Sequence, residues 1–345
     1  MTSHQLATEF ERTEVANGYE SVRNLPHDEE RRAITVDAHS HIFPRIRGRI
    51  AGGSVIGKRY GRATVGEELV EVLPPLNPRV IHTPLMLLAA MDNVGVDRAV
   101  LLQGPFYGYC NSYVGKAITQ FQARLAGSIA VDPWTDGKRT FEKAYQLAGG
   151  ARAFKLEFSE RTGLSGIHPS AVLGGAEVAW LWSELEMRHL VLVIDLGHIG
   201  GRGYQTEALR AIAVRHPRLQ IVIAHLGQPN PGVLNDSLER RLWLDQVALG
   251  TLPNVSFDTA SLPAYFASEA SYRGLEECLR WAIDTVGAEK IMWGSDIPAM
   301  LRMATYRQLH NVIGQSLTFL DNAGQRSVFG ENALRVFWRA SAALA

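Results

Sequence analysis

Eight short, almost continuously apolar segments recur along the chain, at 34–38, 97–102, 126–131, 153–158, 190–194, 220–224, 255–257 and 291–293. Stretches with helical patterning separate most of them, at 85–94, 112–125, 138–147, 177–188, 206–215, 234–248 and 272–286. Strands this uniformly apolar need other structure on both faces, as in a parallel sheet wrapped by helices. Eight is the number that closes such a sheet, so the expected fold is an α/β (β/α)8 TIM barrel. The competing fold, an open doubly wound sheet, would normally bring a phosphate-binding glycine motif near its start, and the chain contains neither GxGxxG nor GxxxxGK[ST]. The glycine-rich run from Gly197 to Gly203 follows a middle strand and has the wrong spacing.

A barrel of this kind commonly fills ~250 residues or more, so the 345 residues are read as one catalytic domain, 34–345, preceded by a polar arm, 1–33. Residues 43–84 are too long for an ordinary connection and form an insertion after the first strand, a candidate lid. Thirty-five basic and 35 acidic residues give a formal net charge of +0, which argues against a nucleic-acid partner, since phosphates demand a basic face. The local basic cluster of Arg45, Arg47, Arg49, Lys58, Arg59 and Arg62 suits a small anionic substrate or a solvated loop. Cys110 and Cys278 are too few and too distant for a disulfide scaffold and fit a cytoplasmic protein. The arm lacks the apolar run of a signal peptide, and no segment reaches the ~20 apolar residues of a membrane span.

Active sites of barrels gather at the carboxyl ends of the strands, and polar chemistry recurs there: His39 and His41, Lys155 and Glu157, Asp195 and His198, His225, Asp258, and Asp296. Two histidines at i and i+2 of a strand project to the same side. That geometry brings two imidazoles to one cation, although two hydrogen-bonded histidines of no function would read the same. Asp296 ends the last strand, which neighbours the first in a closed barrel, and it is positioned to join them as a metal ligand, as a proton acceptor, or as both. His225 stands at a strand-to-loop boundary, where imidazole suits acid–base work. His82, in the insertion, is a candidate to close over the pocket, and Phe106, Tyr107 and Tyr109 are candidates for a pocket wall.

Three short motifs carry a family resemblance: Asp37-Ala38-His39-Ser40-His41-Ile42-Phe43-Pro44, His225-Leu226-Gly227, and Gly294-Ser295-Asp296-Ile297-Pro298, with Met91-Asp92-Asn93-Val94-Gly95-Val96-Asp97 between the first two. From about Ile34 to Trp338 the chain resembles the amidohydrolase superfamily, and within it the amidohydrolase-related branch of aminocarboxymuconate-semialdehyde decarboxylase, aromatic-acid decarboxylases, hydratases and lactone hydrolases. The resemblance implies that His39, His41 and Asp296 hold one divalent metal ion, Zn2+ or Mn2+, and that His225 moves a proton or polarises the substrate. One departure matters: the family commonly ends strand five with a metal-binding histidine, and here Asp195 stands in that register with His198 three residues later. Asp195 as ligand, His198 as ligand, and a partly disabled site are the three readings. Imidazole matches the family chemistry, which puts His198 ahead and leaves Asp195 as a catalytic or supporting carboxylate. The branch uses one metal without a lysine bridge, so Lys155 is expected to meet a substrate carboxylate or to pair with Glu157, and Asp258 to orient His225 or a loop.

The activity implied is metal-assisted hydrolysis of a small carboxylated or cyclic substrate, a lactone or amide, with non-oxidative decarboxylation of an aromatic or muconate-like acid as the alternative. A barrel that binds without catalysis is the third reading, and a homo-oligomer is compatible with all of them.

Overall fold

The computed structural model describes residues 33–267 and 272–338, so the expected arm at 1–33 lies outside the described residues except for Ala33. The first strand, β1, is Val36–His41. Four short strands follow within the insertion: β2 Arg47–Ile50, β3 Gly53–Gly57, β4 Arg62–Val65 and β5 Glu68–Glu71. The alternation then runs through β6 Arg98–Leu102, β7 Leu125–Ile129, β8 Ala153–Glu157, β9 Val191–Asp195, β10 Ile221–Ile223, β11 Val255–Asp258 and β12 Ile291–Met292. These seven and β1 form one sheet of eight parallel strands in chain order. The ends meet: Ala38 donates its N–H to the Trp293 carbonyl at 2.9 Å, His41 to Ile297 at 2.8 Å, and Asp296 to His39 at 2.8 Å. The chain therefore adopts the expected (β/α)8 barrel.

Strand alternation divides the apolar residues into two layers. Val36, Ala38, Val100, Leu102, Ala153, Val191, Val193, Val222 and Met292 fill the inside of the barrel, joined by Ala333, Val336 and Phe337 of the last helix, Asn332–Phe337. The residues between them, such as Leu101, Phe154, Leu192 and Ile194, face outward into the larger core under the helices. Local chemistry marks the helix ends. Thr83 caps Pro84–Val94 by accepting the Met86 N–H, and Gly95 ends it at φ 84°, a conformation glycine adopts without steric penalty.

In β1 the alternation is broken deliberately. The pairing with β6 slips by one residue between Asp37 and Ser40. A bulge of this kind re-aims the side chains that follow it. Ala38 packs in the barrel interior, and His39 and His41 reach the same cavity beyond it. The displaced Asp37 is fully buried at the seam, where its carboxylate accepts from the His39 and Ser295 N–H groups at 3.0 and 2.9 Å and from the Ser295 and Tyr306 hydroxyls at 2.5 and 2.8 Å.

The insertion is more ordered than its sequence suggests. β2 to β5 form a four-stranded antiparallel sheet with its own small core around Phe43, Ile46, Val55, Ala63 and Val80. These strands have only four or five residues and are largely exposed on one face, too short for a clear alternation to stand out. Phe43 and His82 exchange backbone hydrogen bonds at the stem, and His82 Nδ1 donates to the His41 carbonyl at 2.7 Å. His82 thus fastens the insertion rather than closing over the pocket. The edge strand docks on the loop after β6, with Arg47 and Arg49 donating backbone N–H groups to Tyr107 and Pro105 at 3.1 and 2.9 Å. Gly48 permits this approach, since a Cβ there would lie 2.1 Å from the Phe106 and Pro105 carbonyl oxygens.

Loss of the Asp37 carboxylate would strand buried donors on both sides of the seam, at about 1–3 kcal/mol for each group left unpaired. Asp37→Ala is expected to lower the unfolding free energy by about 3 kcal/mol or more, and Ser295→Ala by about 1 kcal/mol, both measurable by urea titration.

Candidate metal centre and active site

His39, His41 and Asp296 converge at the carboxyl end of the barrel. Asp296 Oδ1 lies 3.0 Å from His41 Nε2 and 3.9 Å from His39 Nε2. The far side of each ring is fixed: His39 Nδ1 sits 3.0 Å from Asp258 Oδ2, and His41 Nδ1 sits 3.0 Å from the Leu102 carbonyl. Both partners are acceptors, and they orient each ring with Nε2 toward the centre. Burial pushes His39 down to about 4 against the opposing pull of Asp258, which keeps its ring neutral and available as a ligand. Asp296 is well below the usual carboxylate range; burial opposes its charge, but His41 and His39 outweigh it. Its second oxygen accepts from the Ser261 hydroxyl.

These residues fit a divalent cation. His41 Nδ1 faces the Leu102 carbonyl and its Nε2 faces the Asp296 carboxylate, so a cation seated between Nε2 and Asp296 would be held from both sides. Two imidazole nitrogens and a carboxylate form a donor set suited to zinc or a similar ion. The three atoms lie within 4.8 Å of one another. The surrounding cluster also carries four carboxylates, Glu157, Asp195, Asp258 and Asp296, against Lys155 and the histidines.

His225 stands beside this centre, its ring centroid 4.8 Å from that of His39. Its Nδ1 meets the Ala260 carbonyl at 2.9 Å and its Nε2 lies 3.4 Å from Asp195 Oδ2. Burial disfavours the imidazolium, yet Asp195, Asp296 and Asp258 outweigh it and push His225 up to about 10. Asp195 is correspondingly held below the usual carboxylate range: burial opposes this, and His225 and Lys155 together with the Gly197 N–H prevail. The expectation that the strand reaching Ala224 simply continues to a loop is refined here. Residues 224–227 form a tight turn in which His225 and Leu226 adopt φ 59° and 52°. Asp296 and Ser261 share φ 60°. Such left-handed backbone at non-glycine residues costs on the order of 1–3 kcal/mol each and is concentrated at functional sites.

The two strand-five candidates lie apart in the structure. Asp195 is buried, and its Oδ1 is held by Gly197 N–H and Gln228 Nε2 at 2.7 and 2.8 Å. His198, the expected fourth ligand, is exposed beside Gly201 and belongs neither to the His39–His41–Asp296 cluster nor to the second grouping of possible ligand atoms, His39–His225–Asp258, among the described residues. Gly197, at φ 78°, turns the chain away from the cavity before His198 is reached. Asp258 also differs in detail: its side chain holds the His39 ring, and it meets His225 through the backbone N–H at 2.9 Å. Tyr107 lines the cavity, 5.1 Å from the His41 ring centroid and stacked on Phe43, and Tyr265 faces His225 at 6.4 Å. Tyr265, Ser261 and Gln228 carry no motif and were not legible in the sequence.

Comparison with known proteins shows the family and the fold. Residues 36–339 match the amidohydrolase family, and the chain belongs to it. It is 24% identical over 322 residues to the L-fucono-1,5-lactonase of Burkholderia multivorans (strain ATCC 17616 / 249), covering 88% of this chain and 96% of that protein. A zinc-bound amidohydrolase from Burkholderia multivorans superposes with TM-score 0.65 at 19% identity over 89% of this chain and 99% of the other. A probable 2-pyrone-4,6-dicarboxylic acid hydrolase from Acinetobacter baumannii with citric acid bound gives 0.64 at 15% identity over 88% and 99%.

The two ligand types separate experimentally. Elemental analysis of protein purified without chelator is expected to find the metal lost in His39→Ala and Asp296→Ala and retained in His198→Ala. Asp258→Asn, which disturbs the partner of His39 and removes a charge near His225, is expected to weaken metal affinity by about 10–100-fold.

Proposed function

We propose that this enzyme is a metal-dependent hydrolase that opens small lactones. The observation that carries the reading is the convergence of two imidazole Nε2 atoms and the Asp296 carboxylate beside the His225–Asp195 pair. The full-length similarity to a sugar lactonase supports the lactone as the bond attacked. A single divalent ion, zinc before manganese, would be held by His39, His41 and Asp296, and when bound it supplies Lewis acidity toward water and the substrate carbonyl.

The protein groups divide the remaining work. Asp296, its second oxygen tied to Ser261, accepts the proton that the attacking water loses as its oxygen bonds to the carbonyl carbon. His225, fixed at Nδ1 by Ala260, donates from Nε2 toward the substrate oxygen. As the ring C–O bond breaks, that proton passes to the leaving oxygen. Asp195 stabilises the imidazolium between these steps. Burial keeps the Tyr107 and Tyr265 hydroxyls protonated, so they serve as neutral walls and hydrogen-bond donors. The insertion, docked on the loop that bears Tyr107, is the proposed lid. No described helix is long and apolar enough to cross a membrane, and a chain with only two cysteines, far apart in sequence, is in keeping with a cytoplasmic location.

Zinc-loaded protein is expected to release acid from a panel of 1,4- and 1,5-lactones in a pH-indicator assay, and to lose that activity on chelation and regain it with Zn2+. His225→Asn is expected to lower kcat by about 10²–10⁴-fold with metal content unchanged. No lactone opening across the panel would refute the proposal, and CO2 release from aromatic acids would replace it with decarboxylation.

A further inference from the structure

We propose that Glu157, backed by Lys155, is the group that selects the substrate, and that it recognises ring hydroxyls, so the preferred substrate is a polyhydroxylated lactone. This rests on the lactone-hydrolase reading above and adds the substrate class. Glu157 and Asp195 are direct neighbours in the pairing of β8 with β9, and both end their strands at the mouth of the barrel. Asp195 Oδ2 lies 3.4 Å from His225 Nε2, and the His225 ring centroid is 4.8 Å from that of His39, so Glu157, paired with Asp195, stands at the same mouth as the metal ligands. None of the catalytic steps uses it. Its Oε1 accepts from Ser159 at 2.5 Å, and Lys155 Nζ lies 3.6 Å from Oε2. Both oxygens keep lone pairs for a ligand that donates hydrogen bonds, and vicinal hydroxyls are such a ligand.

The rival assignment gives the selective role to Lys155, as an anchor for a substrate carboxylate. Its Nζ has no hydrogen-bond partner among the described residues, so it is a real candidate. Its depth argues against it. The Lys155 side chain is 1% exposed and Glu157 13%, and Lys155 is two residues further from the mouth on the same strand. A ligand entering from the mouth meets the Glu157 carboxyl first. The charges acting on the site carboxylates come from one another, the histidines and Lys155, while Arg45, Arg47, Arg49, Lys58, Arg59 and Arg62 are exposed. The Glu157 carboxyl, the Gln228 amide bonded to Asp195 and the Tyr107 and Tyr265 phenols near the histidines offer donors and acceptors suited to hydroxyls. With Lys155 beneath it, Glu157 is held without a competing acceptor, and its burial beside Asp195 pushes it up to about 7, so the carboxyl can also donate.

The test compares two rings of equal size, L-fucono-1,5-lactone and the hydroxyl-free δ-valerolactone, with 2-pyrone-4,6-dicarboxylate as the carboxylated probe. Wild type is expected to prefer the hydroxylated lactone in kcat/KM. In Glu157→Gln that preference is expected to shrink by about tenfold or more, chiefly through KM. Because the two lactones are compared within one preparation, a misfolded fraction cancels. Equal losses on both lactones would overturn the assignment, as would a wild-type preference for the dicarboxylate that Lys155→Met removes. Calorimetric binding of a non-hydrolysable hexono-1,5-lactam separates the two proposals. A protein that opens no lactone yet binds the lactam through Glu157 refutes the hydrolase reading and upholds the recognition site. Absence of lactam binding to the wild type overturns the recognition site.

Discussion

The seam between the first and last strands is the constraint on which the site depends. A parallel barrel has no chain connection across that seam, and here the Asp37 carboxylate supplies it, gathering the N–H of His39, the N–H and hydroxyl of Ser295 and the hydroxyl of Tyr306. The groups at or beside these bonds are candidate metal ligands: His39 itself on β1 and Asp296 immediately after Ser295. Gly294 lets the strands meet, since a Cβ there would lie 2.9 Å from the His39 Cβ. Closing the fold and assembling the cluster are therefore a single event. The bulge in β1 serves the same end, because it turns the two histidines into the cavity while Val36 and Ala38 still fill the barrel beneath them.

Electrostatics then assigns the parts. Several carboxylates share a buried volume, and each remains charged only where a donor or cation faces it: Asp258 through His39 and the His225 N–H, Asp195 through His225, Asp296 through His41 and His39. Glu157 has the weakest support and is the one pushed up, to about 7. Neighbouring acids whose environments drive them apart in this way take different roles. The strained backbone at His225, Ser261 and Asp296 shows the fold holding these groups against local preference, as preorganised catalysis requires.

Much of this was legible in the sequence for a physical reason. Strands buried on both faces leave an unmistakable apolar run, and the residues that break such a run at its carboxyl end, His39, His41, His225, Asp258 and Asp296, are the ones the barrel brings together. What was not legible has physical reasons too. At strand five, residue type favoured His198, but strand register favoured Asp195, and the left-handed Gly197 carries the chain out of the cavity between them. Asp37 read as part of a motif, yet its work is done by contacts to residues 258 and 269 positions away, a relation no local pattern encodes. The small sheet of the insertion escaped notice because four-residue, half-exposed strands are stabilised by docking rather than by their own alternation.

His39, His41 and Asp296 are proposed to form one cation site with no contribution from His198. Crystals grown with Zn2+ and measured at the zinc absorption edge would show where the ion sits. A single internal anomalous peak is expected about 2.0–2.2 Å from His39 Nε2, His41 Nε2 and an Asp296 oxygen. A peak coordinated by His198, or no internal peak at all in fully zinc-loaded protein, would rule this site out.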